Sequence, residues 1–288
     1  MNVRLILYIL IFLLVLAATV AGLFYTTPEA RFEHTTARGQ RAVYQGSGLY
    51  RYDPVVVVRE GKIWDAINLF LGLPLFAASV IGTLKDSLRG KLLLGGMLFY
   101  YFYVYLMYAT MMAFNPFFLV YVAIFALSLV GFLLNTGGIA ISELAARFSP
   151  RFPRVVFVVF ALVLSTALLL LWSARIVPIM KSGRFPEELA GIGTLETQAL
   201  DLGLVVPLAL GSAILLWRRS PWGYFLTSLS ITFGFMMFIT IPAWIVVPLL
   251  QDGKVNLLEA IPFFILCVIG LVLVVLFFGN VRGGNRTG

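Results

Sequence analysis

Residues 155–174 read VVFVVFALVLSTALLLLWSA, a run without a single charge, closed at its two ends by Arg154 and Arg175. A helix of about 20 such residues spans the ~30 Å hydrocarbon core of a bilayer. Runs of the same kind recur along the 288-residue chain, at about 4–25, 62–83, 91–113, 115–135, 154–178, 198–217, 222–249 and 258–279 when read by that length. The composition agrees: 61% of residues are hydrophobic and 12% charged, where soluble domains average roughly half and a quarter. These figures exclude an ordinary soluble domain and a disordered chain. A β-barrel is excluded as well, because its alternating pattern leaves no long apolar runs. The expected fold is all-α, a polytopic integral membrane protein of about eight transmembrane helices, with Pro242 expected to kink the seventh.

Lysine and arginine collect on the cytoplasmic side of membrane proteins. With the N-terminus inside, the cytoplasmic segments hold Arg4, Lys85, Arg89, Lys91, Arg147, Arg151, Arg154, Arg218, Arg219, Arg282 and Arg286, against the two acids Asp86 and Glu143. The formal charge of +8 then divides into +9 inside and −1 outside. The net basicity is therefore an orientation signal, and no nucleic-acid partner is expected. Both termini are placed in the cytoplasm, and the expected location is a plasma membrane or a prokaryotic inner membrane. The first span also has signal-sequence character, with Arg4 before an apolar stretch and Ala17, Ala18, Ala21 and Gly22 after it. A retained helix is the expectation, because its apolar run reaches Phe24.

An offset of 133 residues aligns the chain with itself. It lays Asp65 to Leu75 over Gln198 to Leu208, so that Pro74 meets Pro207; farther on, Ser79 meets Ser212 and Gly90 meets Gly223. At a slightly larger offset, Pro116-Phe117-Phe118 corresponds to Pro262-Phe263-Phe264, and Asn135 to Asn280. The expected organisation is a four-helix repeat over 1–135, a cytoplasmic interfacial linker over 136–153, a second four-helix repeat over 154–280 and a tail over 281–288. Each half crosses the membrane an even number of times, so the repeat is parallel, about an axis along the membrane normal. The only long outer loop, 25–61, is expected to form an irregular cap.

Rare polar residues in apolar spans mark candidate sites. Asp65 and Asn68, and Gln198 and Asp201, are i,i+3 pairs that share one helix face. Pseudo-twofold symmetry would bring the two faces together in one outward-opening cavity. Tyr101, Tyr105 and Tyr108 form a helical stripe on the third span, and Arg175 lies where it could pair with Asp65 or Asp201. The competing readings are plain. The two acids near helix N-termini suit capping or snorkelling, the tyrosines suit an interfacial belt or helix packing, and Arg175 suits a boundary anchor. In the fuller reading the candidate solute-binding set is Asp65, Asn68, Gln198, Asp201, Tyr105, Tyr108 and Arg175.

Other chemistry lacks its parts. Cys267 is the only thiol and His34 the only imidazole, so no disulfide, histidine-based metal centre or Ser-His-Asp triad is expected. No cofactor is expected either. Three function classes remain: a carrier for a small polar or cationic solute, an intramembrane enzyme using the two aspartates as an acid/base pair, and a non-catalytic receptor, assembly factor or subunit of a membrane complex. The prolines and glycines of spans two, six and seven favour the carrier. Against it, no continuous polar path reaches the cytoplasmic side, no span is visibly broken at mid-membrane, and the intramembrane ionisable groups are few for a proton relay.

Overall fold

The computed structural model describes residues 3–185, 189, 191–251 and 257–282; Arg286 and the tail from 283 lie outside them. The elements run in the order α1 (Val3–Phe24), β1 (Phe32–Thr35), β2 (Arg41–Tyr44), α2 (Val55–Ile67), a π turn (Asn68–Gly72), α3 (Leu73–Leu84), α4 (Leu88–Met111), α5 (Phe118–Thr136), a short 3-10 helix (Ile141–Arg147), α6 (Arg154–Ser182), α7 (Glu196–Leu200), a second π turn (Asp201–Val205), α8 (Val206–Trp217), α9 (Pro221–Gln251) and α10 (Leu257–Gly279). Among the described residues, seven continuous helical segments are long and apolar enough to cross a membrane. The π turns interrupt the second of these, Val55–Leu84, and the sixth, Glu196–Trp217, without ending them. Helix α10 spans 23 residues, and its described apolar stretch is Phe264–Gly279.

The burial pattern is inverted relative to a soluble domain. Leu13, Leu133, Val163, Leu170, Val268 and Val275 are exposed, as a surface solvated by lipid requires. The exception is α4, of whose most apolar window 72% is buried, against 22–44% for the other six segments. It is the central helix, packed on α3, α5 and α9. Small residues allow that approach: a methyl group on Gly96 of α4 would overlap the side chain of Thr232 on α9.

Several local features stand at matching places in the two acid-bearing segments. The first π turn leads into Pro74 and the second into Pro207. Ser79 and Ser212 are buried, and their hydroxyls donate to the carbonyls of Phe76 and Ala209 at 2.7 and 2.8 Å. Asp86 and Arg219, in the turns after α3 and α8, both have φ 57°. Gly90 and Gly223, which follow those turns, each lie against the backbone of the preceding helix where no methyl group fits.

Some sequence expectations need correction. The loop expected to be an irregular cap contains an antiparallel hairpin in which Phe32 pairs with Tyr44 and Thr35 with Arg41. The strands are only four residues each, too short for alternation to register. His34 lies on β1, exposed. The second span begins at Val55 rather than near 62, because its first turns carry Arg59, Glu60 and Lys62 and fall outside any apolar run. Pro242 lies inside helix α9. Cys267 is half-buried, and its thiol donates to the carbonyl of Phe238 at 3.0 Å, tying α10 to α9.

Candidate functional site

Asp65 lies eleven residues into α2 and is 1% exposed. It is therefore a mid-helix buried acid and not the helix-terminal cap that its sequence position suggested. The hydroxyl of Tyr50, from the loop, donates to Asp65 Oδ2 at 2.7 Å. Tyr108 Oη on α4 lies 2.8 Å from the carbonyl of Gly61 and 3.2 Å from Asp65 Oδ1. A phenol has one proton, so when Tyr108 spends it on Gly61 its oxygen remains free to accept one from Asp65. The seat thus accommodates the carboxyl with or without a proton. Gly22 of α1 closes the remaining side, where a methyl group would overlap both Asp65 and Tyr50.

Asn68 opens the first π turn, fully buried, and its Oδ1 accepts from Tyr100 Oη at 2.9 Å. Its Nδ2 is buried without a partner among the described residues. Asp201 opens the second π turn and is half-buried. Tyr103 Oη donates to its Oδ1 at 2.7 Å, and Trp172 Nε1 of α6 to its Oδ2 at 2.9 Å. Gln198 lies one turn earlier on α7 and is 8% exposed. The two polar pairs are thus brought to one helix, α4, through Tyr100 and Tyr103, with the ring of Phe233 from α9 in contact with both tyrosines.

The pairs do not meet directly. Among the described residues no hydrogen bond joins the Asp65–Asn68 face to the Gln198–Asp201 face, and the acids have separate donors. A shared-proton dyad needs carboxyl oxygens in contact, and among the described residues no hydrogen bond joins Asp65 to Asp201. Arg175 pairs with neither aspartate: the one ion pair within 4 Å among the described residues is Lys91–Asp86, and the charge of Arg175 bears on Glu60 instead. Tyr101, Tyr105 and Tyr108 are fully buried. Of the two readings, interfacial belt or helix packing, their burial matches helix packing. The hydroxyls of Tyr101, Tyr105 and Tyr121 are buried without partners among the described residues.

Tyr50, Tyr100, Tyr103, Trp172, Gly22 and Asp53 escaped sequence reasoning. Asp53 closes the loop onto the bundle at 2% exposure, with Oδ1 accepting the N–H of Ala113 at 2.7 Å and Oδ2 buried without a partner. Burial pushes its carboxyl up to about 7, against the opposing pull of the Ala113 N–H. Five tyrosines between 100 and 108 were the available signal: Tyr100 and Tyr103 share an i,i+3 face that the stripe through 101, 105 and 108 obscured.

No protein-family model, curated protein or solved structure matches this chain. What the chain does must therefore be argued from its own residues.

Proposed function

We propose that this integral membrane protein is a carrier for a small polar or cationic solute, bound between two related halves that each contribute four spans, with both termini cytoplasmic. The observation that carries the reading is the pair of π turns. Each opens on a polar residue, Asn68 or Asp201, and each of these is held by a tyrosine of the central helix. Single π turns inside α-helices concentrate at functional sites, and polar groups at membrane depth are costly enough to be reserved for function.

The matching features at an offset of 133 support the two-halves reading. So do the packing pairs: α3 on α4 and α8 on α9, α4 on α5 and α9 on α10, α1 on α3 and α6 on α8. In a parallel repeat α4 and α9 are counterparts, and their mutual packing suits an axis running between them. The buried Asn68 Nδ2, Tyr101 Oη and Tyr105 Oη are hydrogen-bonding groups without partners among the described residues. Such groups cost about 1–3 kcal/mol each, and a polar ligand or water would offset that cost. The half-buried Asp201 is the anionic group accessible to an arriving cation, while Asp65 is enclosed. The π turns interrupt two spans that looked unbroken in sequence, which supports a carrier.

The test is solid-supported-membrane electrophysiology on proteoliposomes pulsed with primary and quaternary alkylamines. The wild type is expected to give a transient current. Asp201→Asn is expected to require roughly tenfold more amine for the same current, the worth of one charge-assisted hydrogen bond, and Asp86→Asn in the α3–α4 turn should behave as wild type. Equal responses from wild type and Asp201→Asn, or from protein-free liposomes, would overturn the reading.

A further inference from the structure

At the end of the bundle opposite the hairpin, the segment 145–156, the turn before α9 and the chain after α10 enclose a cavity of about 650 Å³. Arg154, Arg219 and Arg282 line it from three separate segments, together with Ser149 and Tyr224, and no carboxylate is among the lining residues. None of the three arginines forms an ion pair within 4 Å among the described residues. Arg154 Nε is moreover buried without a hydrogen-bond partner among them.

The arrangement is built and held. The N–H of Ser149 donates to the carbonyl of Asn280 at 2.9 Å and the N–H of Arg282 to that of Arg147 at 2.8 Å, with Phe148 bridged to Val281. The rings of Phe148 and Phe152 pack on Tyr224, with centroids 4.7 and 5.6 Å away. Arg219 is fixed in a left-handed turn at φ 57°. Three guanidiniums gathered without a counter-charge among the described residues repel one another, and an anion with several oxygens removes the repulsion while accepting forked hydrogen bonds. The remaining wall says which anion. Val155 and Val156 line the cavity and are 56% and 45% exposed, so it opens sideways onto the lipid-facing side of α6, at the first turn of a spanning helix.

We propose that this cavity binds the phosphate-bearing headgroup of an anionic phospholipid, with Arg154, Arg219 and Arg282 on the phosphate and the acyl chains lying along Val155 and Val156. On the charge-based orientation this end faces the cytoplasmic leaflet, whose anionic lipids favour basic pockets of this kind. The site is independent of the carrier reading.

The purified protein in neutral detergent is to be titrated with phosphatidylglycerol, with phosphatidylcholine and with inorganic phosphate, and bound lipid counted by native mass spectrometry. Phosphatidylglycerol is expected to be retained through a step that strips phosphatidylcholine. Arg154→Gln and Arg219→Gln should each weaken retention roughly tenfold, while Arg151→Gln, outside the cavity lining, should not. Arg219 is exposed and its substitution leaves packing intact, so it decides the matter if Arg154→Gln fails to fold. Equal loss in Arg151→Gln would mean diffuse attraction and overturn the proposal. Binding of inorganic phosphate without retention of phosphatidylglycerol would overturn the lipid source.

Discussion

Gly22→Ala is expected to destabilise the protein by on the order of 1–3 kcal/mol, a large cost for adding one methyl group. A Cβ at this position of α1 would overlap Asp65 Oδ2 and Tyr50 Oη. Both side chains are 1% exposed and hydrogen-bonded to each other, so neither can swing into open space. Either α1 is displaced from α2, or the pair separates. Overpacking of a tight interior costs about 1–3 kcal/mol, and a buried acceptor stripped of its donor costs a similar amount. Thermal unfolding in detergent or nanodiscs measures the loss. Gly203→Ala, where nothing lies within 4 Å of the added carbon, is the matched control and should be nearly silent. Tyr50→Phe in the Gly22→Ala background removes one of the two colliding oxygens, so the double variant is expected to lose less than the two single losses added together. Strict additivity would show that Gly22 does not seat against the Tyr50–Asp65 pair.

Stability is expected to fall as pH rises from about 4 to about 7, and Asp53→Asn to flatten that fall. An unfolded aspartate ionises near pH ~3.9, whereas burial raises the native Asp53 carboxyl to about 7. Below the lower value both states carry the proton and no difference arises. Between the two values the native state holds a proton that the unfolded state has released, so stability is lost progressively. Above about 7 both are ionised and the full penalty stands. A shift of about three units corresponds to a ceiling of about 4 kcal/mol. Asparagine keeps an oxygen for the Ala113 N–H and carries no charge, so the variant should match wild type near pH ~4 and exceed it near pH ~8. The groups facing Asp53 are Ala113, through its N–H, and Tyr121, whose phenol feels the Asp53 charge. Unfolding midpoints taken across this range, with His34→Gln as a control on the hairpin, test the prediction. Parallel profiles for wild type and Asp53→Asn would refute it.

The spans were legible because each is a continuous apolar run whose backbone bonds are satisfied internally. The acid and amide pairs were legible because polar residues in such runs are rare. What holds them was not. Tyr103 lies 98 residues from Asp201, Tyr50 reaches Asp65 from a loop, and Gly22 acts by lacking a side chain. Periodicity reports which residues share a face of one helix, and is silent on which helix covers that face. The partners of the two acids were hidden for this reason: Tyr50 and Tyr108 reach Asp65, and Tyr103 and Trp172 reach Asp201, from other elements and at no fixed spacing. The π turns were invisible because their sequences, Asn68 to Gly72 and Asp201 to Val205, read as ordinary helix.

Those turns have a mechanical consequence. Leu73 and Val206 bond back five residues, to Asn68 and Asp201, and Pro74 and Pro207, next in line, have no N–H to contribute. The backbone ladder is therefore thinnest just after each polar residue. Under load such a span behaves as two stiff rods coupled through a compliant link. Drawn from the membrane by its loop end, each of these two spans should yield in two stages, giving way at the link before the inner rod follows. The neighbouring α4, with no such gap in its ladder, should come out as one piece.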